Sequence, residues 1–189
     1  MSNRIRFDPK YNVPMDLAEQ LKGASSSTRW DVVCIGTDRS TGDALGPLTG
    51  SLLRSLSPRG MKVWGDVHSP IHAGNLARFL RGFKPAGPVL AIDACLGARK
   101  HVGTVSFLDK PLLPGAGVRK KLPSIGDFHI TGTVNVGGFM EFQVLQNTRL
   151  SLVLSMADWI AEGISLAANV SAAGLLRGPV RRVRAEARD

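Results

Sequence analysis

The sequence predicts an α/β protein, a three-layer sandwich in which helices cover both faces of a mostly parallel or mixed sheet. Two segments, DVVCIG at 31–36 and GPVLAIDACLG at 87–97, are apolar runs of strand length. Such runs are typical of strands that are covered on both faces. Strand-like and helix-like segments alternate in the first half of the chain, and one long helical pattern follows them. That alternation favours the α/β class.

The first elements follow from spacing and from residues that end helices. Segment 13–24 predicts a helix, because Leu17 and Leu21 lie four residues apart and Gly23 provides a stop. After the strand at 31–36, a second helix is expected to begin between Asp43 and Pro47, since proline is tolerated in the first turn.

The later elements are weaker in pattern, apart from the last. The predicted order is strand MKVWGDV (61–67), helix NLARFLRGF, strand 87–97, strand GTVSFL (103–108), loop 109–126 and strand FHITGTVNVGG (128–138). Segment 149–170 predicts a long helix. One face of that helix carries five apolar residues at helical spacing, namely Val153, Met156, Ile160, Ile164 and Ala167.

Length and composition favour one domain over residues 1–189. The chain has 43% hydrophobic and 21% charged residues, which suits a globular protein with a sizeable core. Within that domain we expect an N-terminal helix and linker at 1–29, a core at 30–170 and a basic tail at 177–189.

Several features predict a cytoplasmic protein without a membrane partner. Cys34 and Cys95 both lie in apolar runs, which suits reduced thiols better than a disulfide framework. The N-terminal MSNRIRFDPKYN is charged where a signal peptide needs an apolar stretch. Asp158 and Glu162 interrupt the most hydrophobic segment, so no membrane-spanning run is expected.

The net charge of +9 raises the question of nucleic acid. Part of the charge lies in the tail, where RGPVRRVRAEARD holds five arginines against Glu186 and Asp189. A basic tail without a recognition motif is more often a solvated end, and aromatic residues make up only 6% of the chain. We therefore do not expect a nucleic-acid partner, and the sequence leaves a homo-oligomer open.

Three aspartates follow the two buried strands. Asp38 and Asp43 lie in the loop after DVVCIG, and Asp93 lies at the end of VLAIDACLG, where a strand interior would disfavour an acid. Loops that leave the carboxyl ends of parallel strands gather on one edge of a sheet, where ligands bind. The sequence therefore predicts that Asp43 and Asp93 meet in one cleft.

The chemistry of that pair stays open at this point. Two adjacent carboxyl groups can divide acid and base roles, because one of their pKa values rises. Alternatively, a divalent metal neutralises them with His129 as a nitrogen ligand. Structural roles compete with both: Asp43 as a helix cap, Asp93 as a hydrogen-bonded buried acid and His129 as a packed residue. Cys95 as a nucleophile is the weakest candidate.

Longer strings resemble a known family. IGTDRSTGDALGP, IDACLG, PGAGVRKKLPSIGDFHITGTVN and GGFMEFQVLQNTRLSLVLSMADWIAEGI resemble the YyaC family of sporulation proteins across residues 30–167. That family looks like a compact relative of the germination protease, which degrades small acid-soluble spore proteins. It also shares the phosphorylase/hydrolase-like fold of the hydrogenase maturation endopeptidases.

The resemblance implies roles for particular residues. Asp43 and Asp93 match two aspartate motifs of the germination protease and would be catalytic. Substrate-binding roles are assigned to Asp38, His129, Gly115 and Gly117, the last two in a glycine loop. The hydrogenase endopeptidases bind a metal through two acids and a histidine, which resemble Asp43, Asp93 and His129.

The function implied is that of a spore-associated endopeptidase in the forespore or spore core. Its substrate would be a protein such as the small acid-soluble spore proteins. The alternative is a catalytically inactive sporulation protein that binds a peptide or a metal. We expect no cofactor, with a divalent metal as the open alternative.

Overall fold

A mixed six-stranded sheet forms the centre of the molecule, whose computed structural model describes residues 4–115 and 122–173. The strands are β1 (Arg4–Phe7), β2 (Trp30–Cys34), β3 (Met61–Trp64), β4 (Val89–Gly97), β5 (Val105–Leu108) and β6 (Phe128–Val136). Their order across the sheet is β1-β5-β6-β4-β2-β3. Strands β3, β2, β4 and β6 are parallel, β5 runs antiparallel to β6, and β1 runs antiparallel to β5.

Helices lie on both faces of the sheet, so the predicted three-layer α/β architecture is confirmed. They are α1 (Pro14–Ala24), α2 (Leu45–Leu56), α3 (Leu76–Gly82), α4 (Glu141–Gln146) and α5 (Leu150–Ala173). Helices α1, α2 and α5 pack together on one face, and α3 packs on the other. Two short 3-10 turns, Gly42–Ala44 and Arg99–His101, precede α2 and β5.

The larger core lies between the sheet and the three-helix layer. The predicted stripe of α5 is confirmed, because Val153, Met156, Ile160 and Ile164 are almost fully buried there. Opposite them, β2, β4 and β6 contribute residues such as Val32, Leu90 and Ile130. The smaller core lies under α3 and includes Val33, Ile35, Leu76 and Ala91.

Helix α5 is long and apolar enough to cross a membrane, contrary to the expectation from Asp158 and Glu162. By length and composition alone, the segment Leu150–Asn169 could cross a bilayer. Its inward face, however, packs on α1 and α2, and 56% of the segment is buried inside the protein. Burial of this kind is typical of the core helix of a globular fold, so the segment is weak evidence for a membrane.

Several details differ from the sequence expectations. Strand β1 and helix α4 were not expected, whereas α1 ends at Ala24, as the predicted segment 13–24 does. Strand β3 ends at Trp64, because the next residue, Gly65, has a φ of 84° and turns the chain. In the described part of the loop at 109–126, a bridge joins Leu112 to Ile125.

Candidate active site

One part of the sheet is not covered by α3 and forms the floor of a cavity. Helix α3 packs over residues of β2, the start of β4 and Trp64 of β3. Beyond them, the same face of β4, β6, β5 and β1 borders a cavity of about 430 Å³. Helix α4 contributes Glu141 and Leu145 to its wall, and the loop after β5 contributes Leu113. A cavity of this volume is of the size that holds a small ligand or a short stretch of peptide.

A row of polar residues crosses the floor of the cavity. Asp93 on β4 lies opposite Thr131 on β6, which lies opposite Ser106 on β5. Ser106 in turn lies opposite Arg6 on β1. Since side chains alternate between the two faces of a sheet, partners in one row point to the same side. All four residues line the cavity, so the row leads from a carboxyl group through two hydroxyls to a guanidinium group.

Asp93 lies in the middle of β4 rather than at the tip of the strand, which corrects the expected position. The pairing of β4 with β2 ends one residue before Asp93, where Cys34 lies opposite Ile92. Pairing with β6 continues to Gly97 and keeps this half of β4 extended. The Asp93 side chain is therefore held by a rigid strand at the point where the neighbouring strand has ended, and it is 9% exposed.

The backbone of Asp43 is held against the end of β2. The Asp43 carbonyl oxygen accepts a hydrogen bond of 3.1 Å from the Thr37 N–H. Gly36 has a φ of 139°, and a Cβ there would overlap that same carbonyl oxygen. Only glycine permits this close approach. The 3-10 turn Gly42–Ala44 then presents the Asp43 side chain to the cavity.

The two carboxyl groups interact. Burial raises the pKa of Asp93 well above its usual range, and the charge of Asp43 raises it further. One hydrogen bond of 2.9 Å from the Ala94 N–H to Asp93 Oδ1 opposes the shift. Burial also raises the pKa of Asp43, while the nearby His72 imidazole lowers it. Asp93 is thus the group that keeps its proton, and Asp43 is the one that ionises first.

The structural roles considered for the two aspartates, a helix cap for Asp43 and a hydrogen-bonded buried acid for Asp93, account for little of their surroundings. No helix-capping hydrogen bond reaches the Asp43 carboxylate from residues 4–115 or 122–173, so it is not a cap within that part of the chain. Asp93 accepts a single backbone hydrogen bond, from its own neighbour Ala94. The polar surroundings therefore satisfy each carboxyl group incompletely and leave it available to a ligand.

His129 lies in the cavity with one ring nitrogen already engaged. Its Nδ1 lies 2.7 Å from the Lys110 carbonyl oxygen. Because a carbonyl only accepts, Nδ1 carries the proton and donates, which leaves Nε2 with a lone pair. Burial lowers the pKa of His129, so the ring is neutral near neutral pH.

The residues do not fit the predicted metal site. Across the described residues, no group of three or more His, Cys, Asp or Glu side chains is arranged to hold a metal ion. Asp43, Asp93 and His129 share the cavity lining but not a common point. We therefore derive no chemical step through a metal.

Cys95 also faces the cavity, two residues beyond Asp93. Its Sγ lies 3.6 Å from the Thr133 hydroxyl, and burial raises the pKa of the thiol. The thiolate is the nucleophilic form of cysteine, so this environment disfavours a nucleophilic role. Both Cys95 and Cys34 are free thiols, as expected.

Of the remaining predicted site residues, one lines the cavity, one lies outside it and one is not among the described residues. Gly115 lines the cavity with a φ of 72°. Asp38 is exposed on the loop after β2 and is not part of the cavity lining, so nothing in its position supports a substrate contact. Gly117 lies outside the described residues, as does the basic tail at 177–189.

Sequence reasoning missed two groups of site residues. Arg4 and Arg6 come from the short edge strand β1, whose alternation in RIRF is only four residues long. His72 approaches Asp43 because its neighbour Ile71 bridges to Ile35 at the end of β2. Period-two alternation through FHITGTVNV is a signal that would have placed Thr131 beside His129 on one face.

Comparisons with known proteins agree with this architecture. Residues 10–163 match the family described as “Protein of unknown function (DUF1256)”. The chain is 53% identical over 138 residues to “Uncharacterized protein YyaC” of Bacillus subtilis (strain 168), covering 71% of this chain and 67% of that protein. The crystal structure of the [NiFe] hydrogenase maturation protease HycI from Thermococcus kodakarensis KOD1 matches with a TM-score of 0.56 and 20% identity, over 79% of this chain and 99% of that one. The likeness to HycI shows a common fold, and the chain belongs to the DUF1256 family, with YyaC as a relative.

Proposed function

We propose that the protein is an aspartate-dependent endopeptidase in which Asp43 is the general base and Asp93 the general acid. The observation that carries the proposal is the meeting of two carboxyl groups from different segments in one cavity. Each pKa is raised, and that of Asp93 is raised further by the charge of Asp43. Groups whose environments separate their pKa values in this way are suited to divided acid and base roles.

The reaction needs only a water molecule and the peptide. The Asp43 carboxylate accepts a proton from the water as its oxygen attacks the carbonyl carbon of the peptide bond. Asp93 donates its proton to the departing amide nitrogen, and the carbon–nitrogen bond breaks to give a carboxylic acid and an amine. After the reaction Asp43 carries the proton taken from water and Asp93 is ionised, and proton exchange with solvent restores the starting state.

An extended peptide suits the shape of the floor. Thr131 and Ser106 supply hydroxyl groups between the two ends of the polar row, and these can bond to peptide N–H and carbonyl groups. The neutral His129 offers Nε2 as an acceptor for a peptide N–H. The family resemblance suggests the small acid-soluble spore proteins as substrates, in the cytoplasm of the forespore or spore core.

The test is cleavage of purified small acid-soluble spore proteins, with and without a chelator, followed by mass spectrometry of the products. We expect cleavage that the chelator does not remove and that Asp43→Asn and Asp93→Asn each abolish. Full cleavage by either variant would contradict the proposal. Binding of the spore proteins without cleavage would instead favour an inactive peptide-binding protein.

A further inference from the structure

The end of the cavity floor that lies opposite the aspartates is basic. Arg4 and Arg6 are two residues apart on β1 and point to the same side of the sheet. Both line the cavity, together with His101 from the turn before β5. The Arg6 Nη1 lies 3.1 and 3.0 Å from the two ring nitrogens of His101. Because arginine only donates, a neutral His101 ring accepts this hydrogen bond and orients the guanidinium group.

Among residues 4–115 and 122–173, no carboxylate pairs with the positive charge at this end. In the described ranges the one ion pair joins Arg54 to Asp66, far from this strand in sequence, so neither Arg4 nor Arg6 has a carboxylate partner there. Desolvation and the charges of Arg6 and other basic neighbours lower the pKa of His101, which keeps the ring neutral. The cavity therefore presents two guanidinium groups that lack a counter-charge among these residues.

The spacing between the two ends of the floor can be read from the sheet. Asp93 and Arg6 are separated by three strand-to-strand steps, through Thr131 and Ser106. At about 4.8 Å a step, the backbones lie roughly 14 Å apart. An extended peptide covers that distance in about four residues, at roughly 3.3 Å per residue.

We propose that Arg4 and Arg6 form an anion subsite that binds a carboxylate of the peptide about four residues from the bond that is cut. This inference rests on the proposed function, because it names the class of substrate that the aspartate pair would act on. A guanidinium group matches a carboxylate with two parallel hydrogen bonds. The carboxylate comes either from an Asp or Glu side chain or from the C-terminus of the peptide.

A peptide with a single carboxylate fits this cavity better than a nucleic acid does. The opposite end carries the carboxylates of Asp43 and Glu141, and a chain of phosphates would meet them as soon as it extended along the floor. Phosphate and carboxylate groups repel one another, and the repulsion is stronger in a partly enclosed cavity than in open water. A ligand that is anionic at one end only avoids this repulsion.

The test measures binding in the Asp43→Asn protein, so that it does not depend on cleavage. Three six-residue peptides of alanine and glycine serve as probes, each acetylated at the N-terminus. The first ends in an amide, the second ends in a free carboxylate, and the third carries Glu at its last position and ends in an amide. Dissociation constants are read from the shift of the His101 ring signals in NMR spectra.

We expect at least one carboxylate peptide to bind about tenfold or more tightly than the neutral amide, as a charged hydrogen bond usually provides. Preference for the second peptide identifies a terminal carboxylate, and preference for the third identifies a side chain. Equal binding of all three peptides would overturn the proposal. So would displacement of the preferred peptide by a single-stranded oligonucleotide at lower concentration than by the free peptide itself.

Arginine variants locate the effect. The double variant Arg4→Gln, Arg6→Gln should bind the carboxylate peptides as weakly as the neutral one. Arg81→Gln removes one positive charge from α3, away from the cavity, and should change nothing. An unchanged preference in the folded double variant would overturn the subsite. The peptide comparison needs no arginine variant, so it is decisive even if the double variant fails to fold.

Discussion

Asp93 projects from the middle of β4 into the same cavity as Asp43, and the charge of Asp43 adds to burial in raising the pKa of Asp93. The two residues lie fifty positions apart in sequence. They come together because the pairing of β2 with β4 ends at Ile92, one residue before Asp93, and the chain after β2 turns back to carry Asp43. This relationship divides the pair into a group that ionises and a group that stays protonated. It also makes the pair sensitive to pH.

The first prediction is a bell-shaped pH dependence of peptide cleavage. Activity should rise with pH as Asp43 ionises and should fall as Asp93 loses its proton. The apparent pKa of each limb should lie above 3.8, the ordinary pKa of aspartic acid, because the pKa values of both residues are raised. The profile of kcat/KM measures the two apparent pKa values of the pair. A rate that stays level from pH 4 upward would contradict the division of roles.

The second prediction concerns the stability of Asp93→Asn. Between the ordinary pKa and the raised pKa of Asp93, the folded protein holds a proton that the unfolded chain has released. Stability therefore falls as pH rises through this range, by about 1.4 kcal/mol for each unit of difference. Asparagine cannot ionise, so the variant should lose this dependence and gain stability at pH 7.5. Urea denaturation of the unaltered protein and of Asp93→Asn, at pH 5 and at pH 7.5, measures the free energy of unfolding.

Asp31→Asn provides the contrasting variant. Asp31 is also buried, but its two oxygens accept hydrogen bonds of 2.7 Å from the Trp64 indole and from the Ala86 N–H. An amide would turn a donor towards one of these donors, at a cost of about 1–3 kcal/mol. If both asparagine variants lost stability equally, Asp93 would be a structural acid like Asp31.

The sequence predicts the meeting of the aspartates better than it predicts their surroundings. Two long apolar runs and the convergence of strand ends are enough to bring Asp43 and Asp93 together. The exact place of Asp93 depends on how far β6 extends β4 beyond β2, which is a property of strand pairing. Strand β4 begins as a continuous apolar run without alternation, so its own sequence does not indicate how far each neighbouring strand pairs with it.

The basic end of the cavity is harder to predict for a different reason. Strand β1 is four residues long and lies at the edge of the sheet, where charged side chains are common. RIRF therefore reads equally well as a charged terminus. Helix α4 has six residues and exposes Phe142, so its sequence lacks a clear apolar face. Tertiary contacts determine both elements.

The third prediction tests how Gly36 positions Asp43. Gly36→Ala would place a methyl group against the Asp43 carbonyl oxygen and would strain a φ of 139°. We expect a loss of about 1–3 kcal/mol of stability and a larger fall in kcat than in substrate affinity. Gly23→Ala is the matched control, since a Cβ there meets nothing within 4 Å. This control should gain roughly 0.5–1 kcal/mol, because alanine favours helix. A fully active Gly36→Ala protein would show that the tight backbone contact is not needed.

The fourth prediction concerns His129, whose Nδ1 donates to the Lys110 carbonyl. His129→Ala should leave that carbonyl without its donor, lower the free energy of unfolding by about 1–3 kcal/mol and loosen the loop after β5. Because Gly115 and Leu113 of this loop line the cavity, KM should rise more than kcat falls.

The same variant tests the metal alternative. Elemental analysis of the purified protein should give the same metal content for the unaltered chain, for His129→Ala and for the exposed control His68→Ala. The reason is that Nδ1 is engaged by a carbonyl and that no three donors converge within the described residues. Nε2 alone cannot replace three ligands in holding a zinc-like ion. One equivalent of metal that is lost only with His129 would reverse this conclusion and would make the aspartates metal ligands rather than an acid and a base.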